Sequence, residues 1–387
     1  MKKLFYGLLV TVIMIINGSD ANAENYLTGL IYAESSGIPM SYSQFAYDID
    51  ADGKDELHTL IKQGGIEGAH DPGKLAVYKY INNKMLSIFI AQELLETKDV
   101  RNFSDLNYTF LKPRLTLNST NNEIWSWSYN ATHPNKPNGV NKICMYKIEN
   151  HQIREYKEYS ADNISQGKVM PEYIFGDLDG DSINEIAAVV NEADPADIAI
   201  AKNNALDSYY ISILKNDSGV WKEITNSKNI VQGYFDSINL IDLNNDNRDE
   251  IIIHKLDVDD MQGSGTLFVM KYQEGQIVKT DSFDTICFGV TTGWIKDKAV
   301  ILYKYYDADS DSGNETIYIS ELKNGKLCKL VEFPGYSVEE EFSYGQKLYS
   351  YFPFNSYILG HFTGQNDAEI ILSNDRTINM YYLNENK

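Results

Sequence analysis

Cysteine, histidine, proline and positive charge are all thin in this sequence. The three cysteines, Cys144, Cys287 and Cys328, are far apart, odd in number and each set in an apolar, strand-like run. That excludes a disulfide framework and zinc spacing, and predicts buried free thiols. The six histidines (His58, His70, His133, His151, His254, His361) stand one to a neighbourhood, and no HExxH, GxSxG, Walker or GxGxxG pattern occurs. Each is therefore read as a surface or packing residue. Catalytic groups assembled from distant segments stay open. Lys and Arg number 34 against 55 Asp and Glu, a net charge of −21. Such acidity repels nucleic acid and anionic membranes, and suits solubility or divalent-cation binding.

Long apolar runs are missing as well. The longest, Leu4–Ile16, follows Lys2 and Lys3 and precedes Ala21-Asn22-Ala23, small residues at the −3 and −1 positions of a cleavage site. Its 13 residues fall short of the roughly 20 a spanning helix needs. The expectation is a secretory signal peptide over residues 1–23, no membrane insertion, and an extracytoplasmic mature chain, 24–387, beginning near Glu24. Losing Lys2, Lys3 and Asp20 takes the net charge from −21 to −22.

Apolar or alternating runs of five to nine residues, broken by Gly, Asn and Asp, make up most of the remainder, an all-β pattern. A hairpin recurs: AVYKYINNKMLSIF from Ala76, ICMYKIENHQIREY from Ile143, YYISILKNDSGVWKEI from Tyr209, LFVMKYQEGQIVKTD from Leu267 and IYISELKNGKLCKLV from Ile317. A sixth begins at Ile378, and the sequence ends inside its turn. Successive turns lie 50 to 67 residues apart, room for four strands. The expected fold is a β-propeller of six blades of about 60 residues, with Tyr26–Ala33 supplying the last strand of the sixth. An open stack of sheets is the structural alternative.

Between the first two strands of three repeats stands one acidic decapeptide in one register: DIDADGKDEL from Asp48, DLDGDSINEI from Asp177 and DLNNDNRDEI from Asp242. Oxygen side chains fall at positions 1, 3, 5 and 9: Asp48, Asp50, Asp52 and Glu56; Asp177, Asp179, Asp181 and Glu185; Asp242, Asn244, Asp246 and Glu250. Alternating carboxylates on a curled backbone converge on one point. Calcium takes six to eight hard oxygens in flexible geometry, including a carbonyl expected from position 7, which is Lys54, Ile183 or Arg248. Magnesium, with its stricter octahedron, is second choice. An EF-hand would need Glu at position 12, where Thr59, Ala188 and Ile253 stand. About three calcium ions are expected, the loop with Asn244 holding the weakest. Position 8 (Asp55, Asn184, Asp249) reads as a turn residue.

These loops resemble the FG-GAP/VCBS repeats of integrin-α-like propellers, whose pattern is Asp-x-Asp/Asn-x-Asp-Gly-x-x-Asp/Glu-Leu/Ile. Phe175-Gly176 before Asp177 matches the Phe-Gly that names the repeat. The resemblance implies a propeller, calcium, and ligand roles at positions 1, 3, 5 and 9. LNSTNNEI from Leu117, GWIKDKAV from Gly293 and GHFTGQNDAEI from Gly360 occupy the equivalent places near 117, 293 and 361 without the full carboxylate set, so those blades are expected to be metal-free. Asp307, Asp309, Asp311 and Glu315 share the spacing but sit between the second and third strands of a repeat.

Trp125 and Trp127 share a strand face and read as filling between blades, and Asn130–Val140 reads as a polar binding loop. The expected function is a non-catalytic binding module for a protein or glycan. A polysaccharide hydrolase or lyase on the propeller scaffold, and a purely structural envelope protein, are the alternatives.

Overall fold

The computed structural model of the chain describes residues 26–35, 40–62, 73–91, 114–129, 140–159, 164, 168–192, 208–257, 264–286, 288–306, 315–323, 326–343, 346–353, 356–373 and 377–385. Residues 1–25, where the signal peptide is expected, the run 307–314, the loop 130–139, Cys287 and the Trp127 side chain lie outside them. Among the described residues no helix is long and apolar enough to cross a membrane.

The strands run β1 (Tyr26–Ser35); β2 (Met40–Tyr47), β3 (Glu56–Lys62), β4 (Gly73–Ile81) and β5 (Lys84–Ile90); β6 (Arg114–Asn118), β7 (Glu123–Tyr129), β8 (Val140–Glu149) and β9 (Gln152–Tyr159); β10 (Val169–Gly176), β11 (Glu185–Asn191), β12 (Tyr210–Asp217) and β13 (Val220–Asn226). They continue as β14 (Tyr234–Ile241), β15 (Glu250–Leu256), β16 (Ser264–Gln273) and β17 (Gln276–Ile286); β18 (Phe288–Ile295), β19 (Lys298–Tyr306), β20 (Glu315–Lys323) and β21 (Lys326–Pro334); β22 (Tyr336–Ser343) and β23 (Gln346–Pro353); and β24 (Ser356–Gly360), β25 (Ala368–Ser373) and β26 (Thr377–Glu385). Each group of four from β2 to β21 is one antiparallel sheet, blades 1 to 5, and β24-β25-β26-β1 is blade 6. The first strands touch in a closed cycle, β2–β6–β10–β14–β18–β24–β2, which makes the molecule a six-bladed propeller.

Burial follows from that ring. A second strand is covered by a neighbouring blade on both faces, so β11 (EIAAVVN) and β25 (AEIILS) are buried at every position. A fourth strand is the outermost of its blade, so β5 buries only Met85 and leaves Leu86, Ile88 and Ile90 exposed. The apolar clusters accordingly sit in the seams. Leu60, Leu75, Leu115 and Ile124 join blades 1 and 2, while Leu57, Tyr78, Ile371 and Met380 join blades 6 and 1. Trp125 packs edge-on against Phe175 of the next blade, ring centroids 5.1 Å apart, as expected of a ring that fills a seam.

The amino-terminal strand closes the ring as anticipated. β1 pairs antiparallel with β26, Tyr26 opposite Glu385 and Ser35 opposite Thr377. It also copies a detail of the other fourth strands. Every third-to-fourth-strand ladder carries a bulge with its extra residue on the fourth strand, at Ile88, Arg154, Ile224, Thr280 and Leu330 in blades 1 to 5. In β1 that residue is Ile31. Bulges add local twist, so this strand is shaped as a fourth strand.

Two features depart from expectation. Cys144 is buried, but Cys328 is exposed because β21 is an outermost strand with a solvent face. Between blades 5 and 6 the chain also inserts a separate two-stranded sheet, β22-β23, which the sequence reading missed. Its signal was the strand pattern YSVEEEF…QKLYSYF, hidden inside a turn spacing already near 60 residues.

Candidate cation loops and the face they occupy

The three acidic decapeptides connect β2 to β3, β10 to β11 and β14 to β15, the first turn of blades 1, 3 and 4. The decayed versions make the same connection in blades 2, 5 and 6. In an antiparallel blade this turn and the third-to-fourth-strand turn emerge at one end, so both sets crowd one face of the ring.

All three loops fold alike. Position 1 organises the curl: the Asp48 carboxylate accepts the amides of Asp52 and Gly53 (3.1 and 2.8 Å), Asp177 those of Gly180 and Ser182 (2.7 and 2.8 Å), and Asp242 those of Asp246 and Asn247 (3.1 and 2.8 Å). Position 5 accepts the amide of position 7: Asp52 from Lys54, Asp181 from Ile183, Asp246 from Arg248. Position 9 reaches back to the amide of position 2: Glu56 to Ile49, Glu185 to Leu178, Glu250 to Leu243. The curl requires left-handed backbone at positions 4 and 6 of every loop, at Ala51 and Gly53, Gly180 and Ser182, Asn245 and Asn247. Ala51 and Ser182 adopt φ of 57° and 65° against their intrinsic preference, a cost of about 1 kcal/mol each.

Blades 1 and 3 gather carboxylates most closely. One oxygen from each of Asp48, Asp50 and Glu56 lies within 4.8 Å of the others, and the same holds for Asp177, Asp179 and Glu185. Two oxygens bonded to one calcium at about 2.4 Å are at most about 4.8 Å apart, so both trios fit that ion. Asp242, Asp246 and Glu250 form no such trio among the described residues.

A residue that the sequence reading overlooked holds each tight loop. Lys79 on β4 places Nζ 2.5 Å from Asp50, 2.9 Å from Asp52 and 2.7 Å from Glu56. Lys215 on β12 does the same with Asp179, Asp181 and Glu185, at 2.5, 2.9 and 2.9 Å. The register explains the match: Leu57 faces Tyr78 and Ile186 faces Leu214, which sets each lysine opposite position 9. The signal was in the hairpins, all five of which carry a lysine near the turn (Lys79, Lys147, Lys215, Lys271, Lys323).

The electrostatics follow the lysines. Burial raises Glu56 and Glu185 above the usual carboxylate range, with Lys79 and Lys215 partly offsetting it. Those ammonium groups hold Asp52 and Asp181 below it. Burial by itself would lower both lysines; their carboxylate contacts raise them instead. In blade 4 burial pushes Glu250 up to about 7, with Asp246 and Asp242 adding to the rise; its counterpart Lys271 opposes this only through space, with no ion pair between them among the described residues. The Asn244 amide donates to Glu250 Oε1 instead, at 2.8 Å.

Position 8 does more than turn the chain. Asp55 of blade 1 accepts the His361 amide of blade 6 at 2.7 Å, and its own amide donates to the His361 carbonyl at 3.1 Å. Asn184 of blade 3 bonds to Ser119 and Thr120 of blade 2. These contacts latch neighbouring loops into one face. Between blades 5 and 6 lysines do this work, with Lys296 pairing with Asp367 and Glu385.

On the same face, at the junction of blades 6 and 1, lies a cavity of about 360 Å³. Its lining is Ile31, Lys54, Tyr80, Asn82, Asn83, Thr363, Gln365, Asn366 and Tyr382. Next to it the decayed loop of blade 6 keeps Glu369, which accepts from the Thr363 hydroxyl and the Asn366 amide. His361 is half-buried; His58 and His254 are buried in second strands. Burial lowers His58 to about 3, which keeps it neutral.

No protein-family model and no curated protein matches this chain. Among solved structures it is similar to the Dos1 propeller, with a TM-score of 0.39 and 8% identity over 93% of this chain and 80% of that one.

Proposed function

We propose that this chain is a secreted, calcium-binding β-propeller of the FG-GAP/VCBS kind that acts as a non-catalytic module binding a protein or a glycan. The observation that carries the proposal is one face of the ring, where cation-attracting loops of a single geometry adjoin a polar cavity. Asn82, Asn83 and Gln365 offer paired donors and acceptors, and Tyr80 and Tyr382 offer ring surface. That chemistry suits sugar hydroxyls or a peptide backbone. Calcium in a loop would draw positions 1, 3, 5 and 9 together and stiffen the face without taking part in a reaction. The proposed mechanism is therefore binding on a braced platform: the inter-blade latches hold the loops, and the loops hold the cavity rim.

A panel of glycans and envelope proteins, tested for binding in calcium and in chelator beside a polysaccharide turnover assay, decides the matter. Binding that falls about tenfold or more in Tyr80→Ala and Gln365→Ala supports the proposal. Turnover of a polysaccharide would replace it with the hydrolase or lyase reading.

A further inference from the structure

We propose that Lys79 and Lys215 are tethered cations that occupy the carboxylate cages of blades 1 and 3 until a divalent ion displaces them, so that the loop of blade 4 fills first. The inference rests on the calcium reading and concerns how those sites are regulated.

Two independent copies carry it. Each ammonium lies within 2.9 Å of oxygens at positions 3, 5 and 9, three of the four side-chain positions proposed to hold a divalent ion. Each lysine reaches a fully buried partner: the Lys79 and Lys215 side chains are 11% and 33% exposed, and Glu56 and Glu185 are 0% exposed. Glu56 Oε1 and Glu185 Oε1 are buried and find no well-aligned hydrogen-bond donor, so the ammonium charge is what they face. An ion bonded to these oxygens at about 2.4 Å would stand no more than about 5 Å from Nζ and would compete with it for the same lone pairs, so the two positive charges repel. Loading therefore requires the lysine to swing out on its four-carbon stem, which puts the charge in water and gives up three ion pairs. Apparent affinity is the intrinsic affinity multiplied by the fraction of time the cage is vacated.

Blade 4 lacks this competitor. Lys271 occupies the corresponding place, since Ile251 faces Met270, yet it pairs with none of Asp242, Asp246 or Glu250 among the described residues. What fills the loop is the neutral Asn244 amide, which a half-turn about its last bond would convert from an N–H donor to an oxygen ligand. A count of carboxylates, and the lack of a converging trio among Asp242, Asp246 and Glu250, would by themselves make this loop the weakest. The lysines reverse the order.

The test is calcium calorimetry on the wild-type mature protein and on Lys79→Met, Lys215→Met and Lys271→Met. Wild type should show one tight and two weaker sites. Lys79→Met and Lys215→Met should each tighten one weak site by about tenfold or more, and Lys271→Met should tighten none. Reductive methylation of wild type, mapped by mass spectrometry, covers the case of a variant that does not fold: saturating calcium should expose Lys79 and Lys215 to the reagent and leave Lys271 unchanged. Three equal sites, unmoved by the substitutions, would overturn the inference and leave calcium standing. So would methylation of Lys79 and Lys215 that bound calcium does not alter. No calcium on any of the four proteins would overturn both.

Discussion

Asp249 of blade 4 and Asp177 of blade 3 exchange two hydrogen bonds across the blade boundary: the Asp177 amide donates to Asp249 Oδ2 at 3.0 Å, and the Asp249 amide donates to the Asp177 carbonyl at 2.8 Å. The first acidic residue of one loop is thereby bound to the eighth of the next. Asp249→Ala strands the Asp177 amide and should cost about 1–3 kcal/mol of stability in chemical denaturation. Asp249→Asn, which keeps an acceptor, should cost less. Equal losses in the two would mean that the carboxylate does not act through this bond.

Gly176 ends β10 where that carboxylate arrives. A Cβ there would stand 2.5 Å from Asp249 Oδ2 and 2.6 Å from Leu240 Cδ1. Gly176→Ala should therefore destabilise by about 1–3 kcal/mol through overpacking, although its backbone is ordinary strand. In an Asp249→Ala background part of this loss should disappear, which a double-mutant cycle reads directly.

Deleting residues 26–35 removes the fourth strand of blade 6 and leaves β26 as an unpaired edge. The melting temperature should fall far more than on deleting a tail of equal length from an unpaired end. An unchanged transition would contradict ring closure by β1.

Calcium at a hundred times its dissociation constant should stabilise the protein by about 2.7 kcal/mol for each site filled, provided the unfolded chain does not bind it. Asp246→Ala, in the loop expected to fill first, should lose that increment in calcium and melt close to wild type in chelator. Equal losses in both conditions would make Asp246 a turn residue only.

A salt bridge well away from the loops supplies an acid-sensitive test. Lys228 Nζ lies 2.7 Å from Glu192 and holds its carboxyl below the usual range. A carboxylate with a depressed folded pKa contributes stability above its unfolded value, near 4.5, and loses it as pH falls through the folded value. Because the pair is substantially exposed, the increment should be under about 1 kcal/mol. Lys228→Met should lower stability at pH 6 and leave it nearly unchanged near pH 3. A loss that persists in acid would assign Lys228 a packing role over Tyr210, whose ring centre is 4.5 Å from Nζ.

Local pattern made much of this molecule legible. Alternation and turn residues marked the strands, the hairpin at intervals of 50 to 67 residues marked the blades, and the unpaired runs at Tyr26 and Ile378 met as β1 and β26. The decapeptide register located the loops because position 1 binds amides only three to five residues away. The hairpin β22-β23 escaped because it adds strands without a matching turn motif, and Cys328 was misjudged because an apolar run does not say which strand of a blade is outermost.

The sequence by itself determined the repeat, the strand content and the acidic loops, since each depends on residues close along the chain. The tertiary structure decided what those loops face. Lys79 enters the cage of Asp50 and Glu56 through the β3–β4 register, and Asp55 meets His361 from 306 residues away once the ring has closed. Neither partner can be read from composition or spacing. A cross-strand neighbour is set by register and a cross-blade neighbour by the number of blades, and both are properties of the assembled sheets.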